Sequence, residues 1–249
     1  MEIFVINLAR SADRREFIRE QLVVLGVQHE FFEASDARCA DFAKHNRYDE
    51  ALALQHTGQT LAPGECGCFA SHHRLWQQCV ASNRPLVVME DDVVISPWIT
   101  KSLQEAAKHI QSRRFIRLCG LWDCRHDTVM PLPGEQRLVR YRKGPVGTQC
   151  YAISPDGAKA LLRHADRWVE PVDRYIDRFW LHGLQSYAIH PFPVSLPEQE
   201  LASVIDTGRA ATLNKAAQRW HRWTNRIGRF NANLAYRWRG DRSHEGNAA

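Results

Sequence analysis

The chain has 249 residues, enough for one substantial core, and its 44% apolar and 24% charged content is that of an ordinary soluble globular domain. It has no uninterrupted apolar run long enough to span a bilayer, and no basic, apolar and small-residue leader at its start, so the expected location is the cytoplasm. The formal charge of +5 is uneven: Arg209 to Arg242 carries nine basic residues against Asp241, a net of +8, which leaves −3 for the rest.

Ile3-Phe4-Val5-Ile6-Asn7-Leu8 is strand-like, being β-branched and aromatic. Ser11 can cap a helix built on Phe17, Ile18, Leu22 and Leu25 and stopped by Gly26. Residues 29–34 read as a second strand, and this strand–helix–strand opening argues for a parallel α/β sheet. Residues 36–60 are polar and poorly periodic, suited to short helices and a loop. Pro63 opens a helix to about Ser82 with an apolar face of Phe69, Leu75, Trp76, Cys79 and Val80. A helix over about 97–110 and a strand over 115–119 follow.

Residues 121–147 are rich in Pro and Gly and read as loop. Residues 148–153 are strand-like, and Ser154-Pro155 begins a helix through Leu161 and Leu162. Residues 171–182 read as helix, 186–190 as a last strand and 191–197 as a Pro-rich surface connection. The tail has the most regular helical pattern: Leu213, Ala216, Ala217, Trp220, Trp223, Ile227, Phe230, Leu234 and Trp238, with arginines between them. Seven cysteines lack paired zinc-ribbon spacing and read as core residues in a reducing compartment.

The most informative stretch is Pro85-Leu86-Val87-Val88-Met89-Glu90-Asp91-Asp92-Val93. A buried strand ends in three adjacent carboxylates, whose mutual repulsion calls for an offset. A hard divalent cation on oxygen ligands would supply it, and strand ends are where open α/β sheets bind ligands. A solvated acidic turn or a helix cap before Pro97 are the alternatives.

Arg10, Arg14 and Arg15 at the first strand-to-helix turn suit a phosphate, or form a charged turn facing water. Cys68, Ser71 and His72 share one helical face, as a nucleophile pair or as binding or structural residues. Gly147-Thr148 entering a strand with Tyr151 suits a sugar contact, or an ordinary strand start. Asp173 and Asp177, at i and i+4, suit a general base and an arginine partner, or simply an acidic helix start.

In this order the motifs resemble glycosyltransferase family 25, the lipooligosaccharide galactosyltransferase-like enzymes. The matching elements are Phe4 to Leu8 with Arg10-Ser11 and Asp13-Arg14-Arg15; Gly64-Glu65, Gly67-Cys68, Ser71-His72 and Trp76; Glu90-Asp91-Asp92; Gly147-Thr148 with Tyr151; Gly157-Ala158 with Leu161-Leu162; and Pro171-Val172-Asp173. Gln149-Cys150 departs from the pattern. The match runs to about Asp206 and leaves the tail out.

The resemblance implies a GT-A-like α/β fold with a Rossmann-like nucleotide-binding half over residues 1–208, followed by a basic amphipathic helical tail over 209–249. It implies inverting transfer of a hexose, galactose first, from a UDP-sugar to a lipooligosaccharide or other lipid-linked glycan. It implies Mn²⁺ or Mg²⁺ on Asp92 with Asp91, and a nucleotide-sugar site of Asn7, Leu8, Arg10, Arg14, Arg15, Gly64, Glu65, Ser71, His72, Glu90 and Asp91. Thr148 and Tyr151 would meet the acceptor, and Asp173 would be the base, with Asp177 and Asp123 as weaker choices. The tail suits the anionic inner face of the plasma membrane. Nucleic-acid binding through the Arg/Trp tail, or a silent glycan-binding relative, are the other readings.

Overall fold

The computed structural model describes residues 1–197 and 215–239. Strand β1 (Glu2–Asn7) leads into helix α1 (Ala12–Val24), strand β2 (Glu30–Glu33), a 3-10 turn (Ala40–Lys44), α2 (Glu50–His56), α3 (Pro63–Ser82) and β3 (Leu86–Glu90). Then come β4 (Val94–Ile95), α4 (Ile99–Arg113), β5 (Phe115–Arg117), β6 (His126–Pro131), β7 (Arg137–Tyr141) and β8 (Cys150–Ile153). Helices α5 (Pro155–Leu162), α6 (Val172–Ile176) and α7 (Phe179–His182), strands β9 (Tyr187–His190) and β10 (Val194–Ser195), and helix α8 (Lys215–Arg239) complete the order.

An eight-stranded sheet in the order β2-β1-β3-β8-β5-β9-β7-β6 is the central layer. Alternate residues of β1 feed two cores: Ile3 and Val5 meet Ile18, Leu22 and Ile110, whereas Phe4 and Ile6 meet Phe69, Trp76 and Leu161. The sheet therefore lies between α1 and α4 on one side and α3, α5 and α6 on the other, which is why its strands are near-continuous apolar runs. Strand β3 is buried on both faces for the same reason.

Only part of the sheet is parallel. The parallel sheet expected from the strand–helix–strand opening is found where β1 pairs with β2 and β3, and β5 with β9 is parallel too, but it does not extend to β8, which runs antiparallel to β3 and β5. The Rossmann-like order β2-β1-β3 is confined to the N-terminal half, where helices make the crossovers. Residues 121–147, expected as loop, contain the β6–β7 hairpin. Its β6 is the edge strand, where a proline such as Pro131 is tolerated, and Gly134 at φ +76° makes the turn. The 171–182 segment is two short helices, α6 and α7.

The expected boundary at 208/209, the matching residues up to Asp206, and Arg209, Leu213, Asp241 and Arg242 lie outside the described residues. Helix α8 packs on the body: Asn233 accepts from Arg140 at 2.8 Å and donates to the Arg142 carbonyl at 3.0 Å. Tyr236 covers the buried Arg140 guanidinium at 3.9 Å, and His221 stacks on His56. None of the described helices is long and apolar enough to cross a membrane.

Candidate active site

The chain leaves β1 for β2 on one side and later returns to β3 on the other, so a crevice opens at the carboxyl ends of these strands. A cleft of about 620 Å³ fills it. Its walls are the β1–α1 turn with Leu8, Arg10 and Arg14, the first turn of α3 with Gly64 and Glu65, and the three acids after β3. The first turn of α3 lines the cleft; Pro63 has no N–H, the Glu65 and Cys66 N–H groups both donate to the Ala62 carbonyl, and a Cβ at Gly64 would meet nothing within 4 Å. Glu65 reaches back to accept from the Ala62 backbone N–H at 2.8 Å, capping the helix. Gly67 lets α3 approach the loop after β2, since a Cβ there would stand 2.5 Å from the Ser35 carbonyl oxygen.

The three acids diverge. Asp91 accepts from Asn7 Nδ2 at 2.6 Å, and burial pushes its carboxyl up. Arg14 lies 3.7 Å from Asp91 and 3.6 Å from Asp92, so two carboxylates share one guanidinium. Glu90 turns the other way, accepting from Thr148 Oγ1 at 2.6 Å and lying 3.4 Å from His72 Nε2. Burial pushes the Glu90 carboxyl up, but His72, Thr148 and Arg14 together outweigh it and hold it below the usual range.

A hydrogen-bonded chain stands behind Glu90. Trp76 Nε1 donates to the Tyr151 hydroxyl at 2.9 Å, leaving that O–H to donate to His72 Nδ1 at 2.8 Å. The proton of His72 then sits on Nε2, facing Glu90. Burial pushes the Tyr151 phenol well above its usual range, which keeps it a donor. Cys68, His72 and Glu90 bring ligand atoms within 4.8 Å of one another, the metal-capable group found among the described residues. Burial pushes the Cys68 thiol well above its usual range, which disfavours the thiolate that a metal would need, and His72 Nε2 lies 3.4 Å from Glu90 without a hydrogen bond among the described residues.

Asp177 anchors the loop that presents Thr148. It is ion-paired with Arg117, which is 1% exposed, and accepts from the Val146 N–H at 3.0 Å. Arg117 also donates to the Gly147 carbonyl. Val146 has φ +60°, unusual for a β-branched residue, so the loop is held against local strain. Gly144 is required beneath it, because a Cβ there would overlap the Asp177 carboxylate. Arg117→Met should leave Asp177 buried without its cation. We expect a loss of about 3–5 kcal/mol and a Tm lower by roughly 10 °C. An unchanged melting curve would remove the anchor role.

A family model described as glycosyltransferase family 25 (LPS biosynthesis protein) matches residues 1–176. The chain belongs to glycosyltransferase family 25. It is 28% identical over 220 residues to a probable inactive glycosyltransferase 25 family member 3 of Rattus norvegicus, covering 78% of this chain and 38% of that one. It is 27% identical to procollagen galactosyltransferase 1 of Danio rerio, covering 77% and 33%. It is also 27% identical to the lipooligosaccharide biosynthesis protein lic2B of Haemophilus influenzae, covering 65% and 62%. The chain thus spans about a third of the length of the first relatives and less than two thirds of lic2B. Among solved structures, A197 from STIV aligns at 12% identity over 76% of this chain and 81% of that one, with a TM-score of 0.39 that carries no argument.

The family's motifs converge on the cleft, though not all of them line it. Leu8, Arg10, Arg14, Gly64, Glu65, Ser71, His72, Glu90, Asp91 and Asp92 do. Arg10 is ion-paired with Asp36 across the opening. Ser71 bridges the Gly67 carbonyl and the Ser35 N–H, a structural bond that leaves it no place as a nucleophile. Arg15 turns away to lie over the Phe31 ring at 4.0 Å. Tyr151 is fully buried and reaches the cleft only through His72, so direct acceptor contact is corrected to a supporting role. Asp123 has its side chain 83% exposed beside His126 and does not line the cleft.

Asp173 accepts from the Arg174 N–H at 2.7 Å and lies in electrostatic range of Glu90, Cys68 and Arg117. Burial pushes its carboxyl up. Sequence reasoning missed Arg117. Its signal was present as a charged residue inside the apolar strand Phe115-Ile116-Arg117.

Proposed function

We propose that this chain moves a hexose, galactose first, from a UDP-sugar to a sugar hydroxyl of a lipooligosaccharide or other lipid-linked glycan, with inversion and with Mn²⁺ or Mg²⁺. The observation that carries the reading is the cleft at the β1/β3 crevice, which gathers Arg10, Arg14 and the first turn of α3 with Asp91 and Asp92, Arg14 lying 3.7 and 3.6 Å from the two carboxylates. The basic groups suit a diphosphate and the carboxylates suit a cation.

The donor set fits a hard divalent ion. Adjacent carboxylate oxygens of Asp91 and Asp92 already converge on one cationic group, Arg14, and such ions bind one or two carboxylates plus substrate phosphates. Asp92, with Asp91 beside it, would hold the ion, which when bound neutralises charge on the diphosphate. Arg14 orients the same phosphates. Glu90, which accepts from Thr148 and lies beside His72, would accept from a donor hydroxyl. Asp173 is the candidate base for the acceptor proton, burial raising its pKa and making it a better proton acceptor than an ordinary aspartate.

A thermal-shift and hydrolysis screen across UDP-sugars, with and without Mn²⁺, tests the reading. One UDP-hexose should raise Tm and be turned over in a metal-dependent way. No response to any UDP-sugar would sink the donor assignment. Several relatives are named as inactive, which favours a silent, glycan-binding reading as the second choice. A donor-dependent Tm rise without hydrolysis or transfer would select it.

A further inference from the structure

Helix α8 has two faces with different fates. Gln218, His221, Gly228, Asn233 and Tyr236 form the docked one. Gln218 lies against Gly58, Gly228 fits under Trp180, and the other three meet His56, Arg140 and Arg142. The other face carries Trp220, Trp223, Ile227, Phe230, Leu234 and Trp238, all exposed, with Phe230 at 67% and Trp238 at 85%. At 3.6 residues per turn these six fall within an arc of about 80°, opposite the docked face. The apolar stripe is therefore not the face that packs on the protein. Arg219, Arg226 and Arg237 are exposed on its shoulder, and no acidic residue occurs between Lys215 and Arg239.

Water is a poor neighbour for such a stripe, and a body that already holds the helix by its opposite face cannot cover it. We propose that the exposed face of α8 seats on an anionic lipid surface, with its aromatic stripe at the headgroup boundary and its arginines on lipid phosphates. The charge decides the occupant. A one-sided basic, aromatic-rich helix of this length has the composition of interfacial helices, and each basic residue near an anionic leaflet adds to binding. The helix also neighbours the cleft. Gly58, beneath Gln218, is four residues from Ala62 on the cleft wall, a span of no more than about 14 Å. Seating α8 on lipid brings the cleft rim close to the same surface. The inference stands on α8 alone and does not need the donor assignment.

Flotation of the full chain with phosphatidylcholine vesicles, and with vesicles of equal phosphatidylcholine and phosphatidylglycerol, tests it. Binding to the anionic vesicles at low salt, weakened at high salt and absent on neutral vesicles, is expected. Trp220→Ser with Trp223→Ser and Phe230→Ser should abolish flotation. Arg219→Gln with Arg226→Gln and Arg237→Gln should weaken it on the order of a hundredfold. All six positions are solvent-exposed, so Tm should hold in both variants. Failure to float at low salt overturns the proposal, as does flotation unchanged in both variants. Two further outcomes also overturn it when no flotation occurs: a stripe-dependent dimer in sedimentation, or stripe-dependent binding to a single-stranded oligonucleotide.

Discussion

Asp92→Asn should lower sugar transfer by roughly a thousandfold, the scale seen when one charge-stabilising group is removed from an active site. The three acids after β3 are chemically alike but differently committed. Glu90 is held by Thr148 and approached by His72, and Asp91 is held by Asn7. Asp92 faces the cleft and Arg14, which makes it the carboxylate best placed to meet a diphosphate-bound cation. Asparagine keeps the shape and one oxygen but loses the charge. The variant should therefore melt like the parent while its Mn²⁺ response disappears. Asp91→Asn should behave differently, disturbing the Asn7 bond and so lowering Tm together with activity. Full turnover in Asp92→Asn, still stimulated by Mn²⁺, would remove the metal from this position.

The contrast between these acids also shows what the sequence could and could not say. The strand–carboxylate junction was legible because a buried strand is a continuous apolar run and its abrupt end is a change in composition. Helix α3 was legible to its ends because Pro63 suits a first helical position and its apolar face keeps helical spacing. The β6–β7 hairpin was not, because an edge strand carries prolines and half-exposed residues that read as loop.

In the site, residue type suggested contact where the structure supplies support. Ser71 and Tyr151 look like ligand-binding groups in sequence, yet both have their hydrogen bonds satisfied inside the protein. Asp173 and Asp177 look equivalent at i and i+4, but only the second has an arginine from β5 directly upon it. That partner is 60 residues away in sequence, so helix spacing could not reveal it. In the tail, periodicity gave the helix but not its orientation. The stripe is the face turned outward, while the polar residues Gln218, His221 and Asn233 meet the body.

Asp173→Asn separates the two aspartates by experiment. Asp177 is bound to Arg117 and to the Val146 N–H, so its removal should free the 144–148 loop and lower Tm as well as activity. Asp173 has a local backbone bond to Arg174 and nearby charges, but no direct ion pair of that kind with Arg117. Its loss should leave the fold and UDP-sugar binding intact while turnover drops about a hundred- to ten-thousandfold, the usual contribution of a general base. The pH profile carries the sharper signature. A base must be ionised to act, and burial raises the pKa of Asp173 above that of an ordinary aspartate. The parent rate should therefore fall as pH drops, with its midpoint above the ordinary aspartate range, and residual activity in Asp173→Asn should lack that limb. If the variant keeps both the rate and the acid limb, another group takes the proton. Glu90 is not the natural substitute, because its hydrogen bonds hold its pKa below the usual range and make it the weaker base.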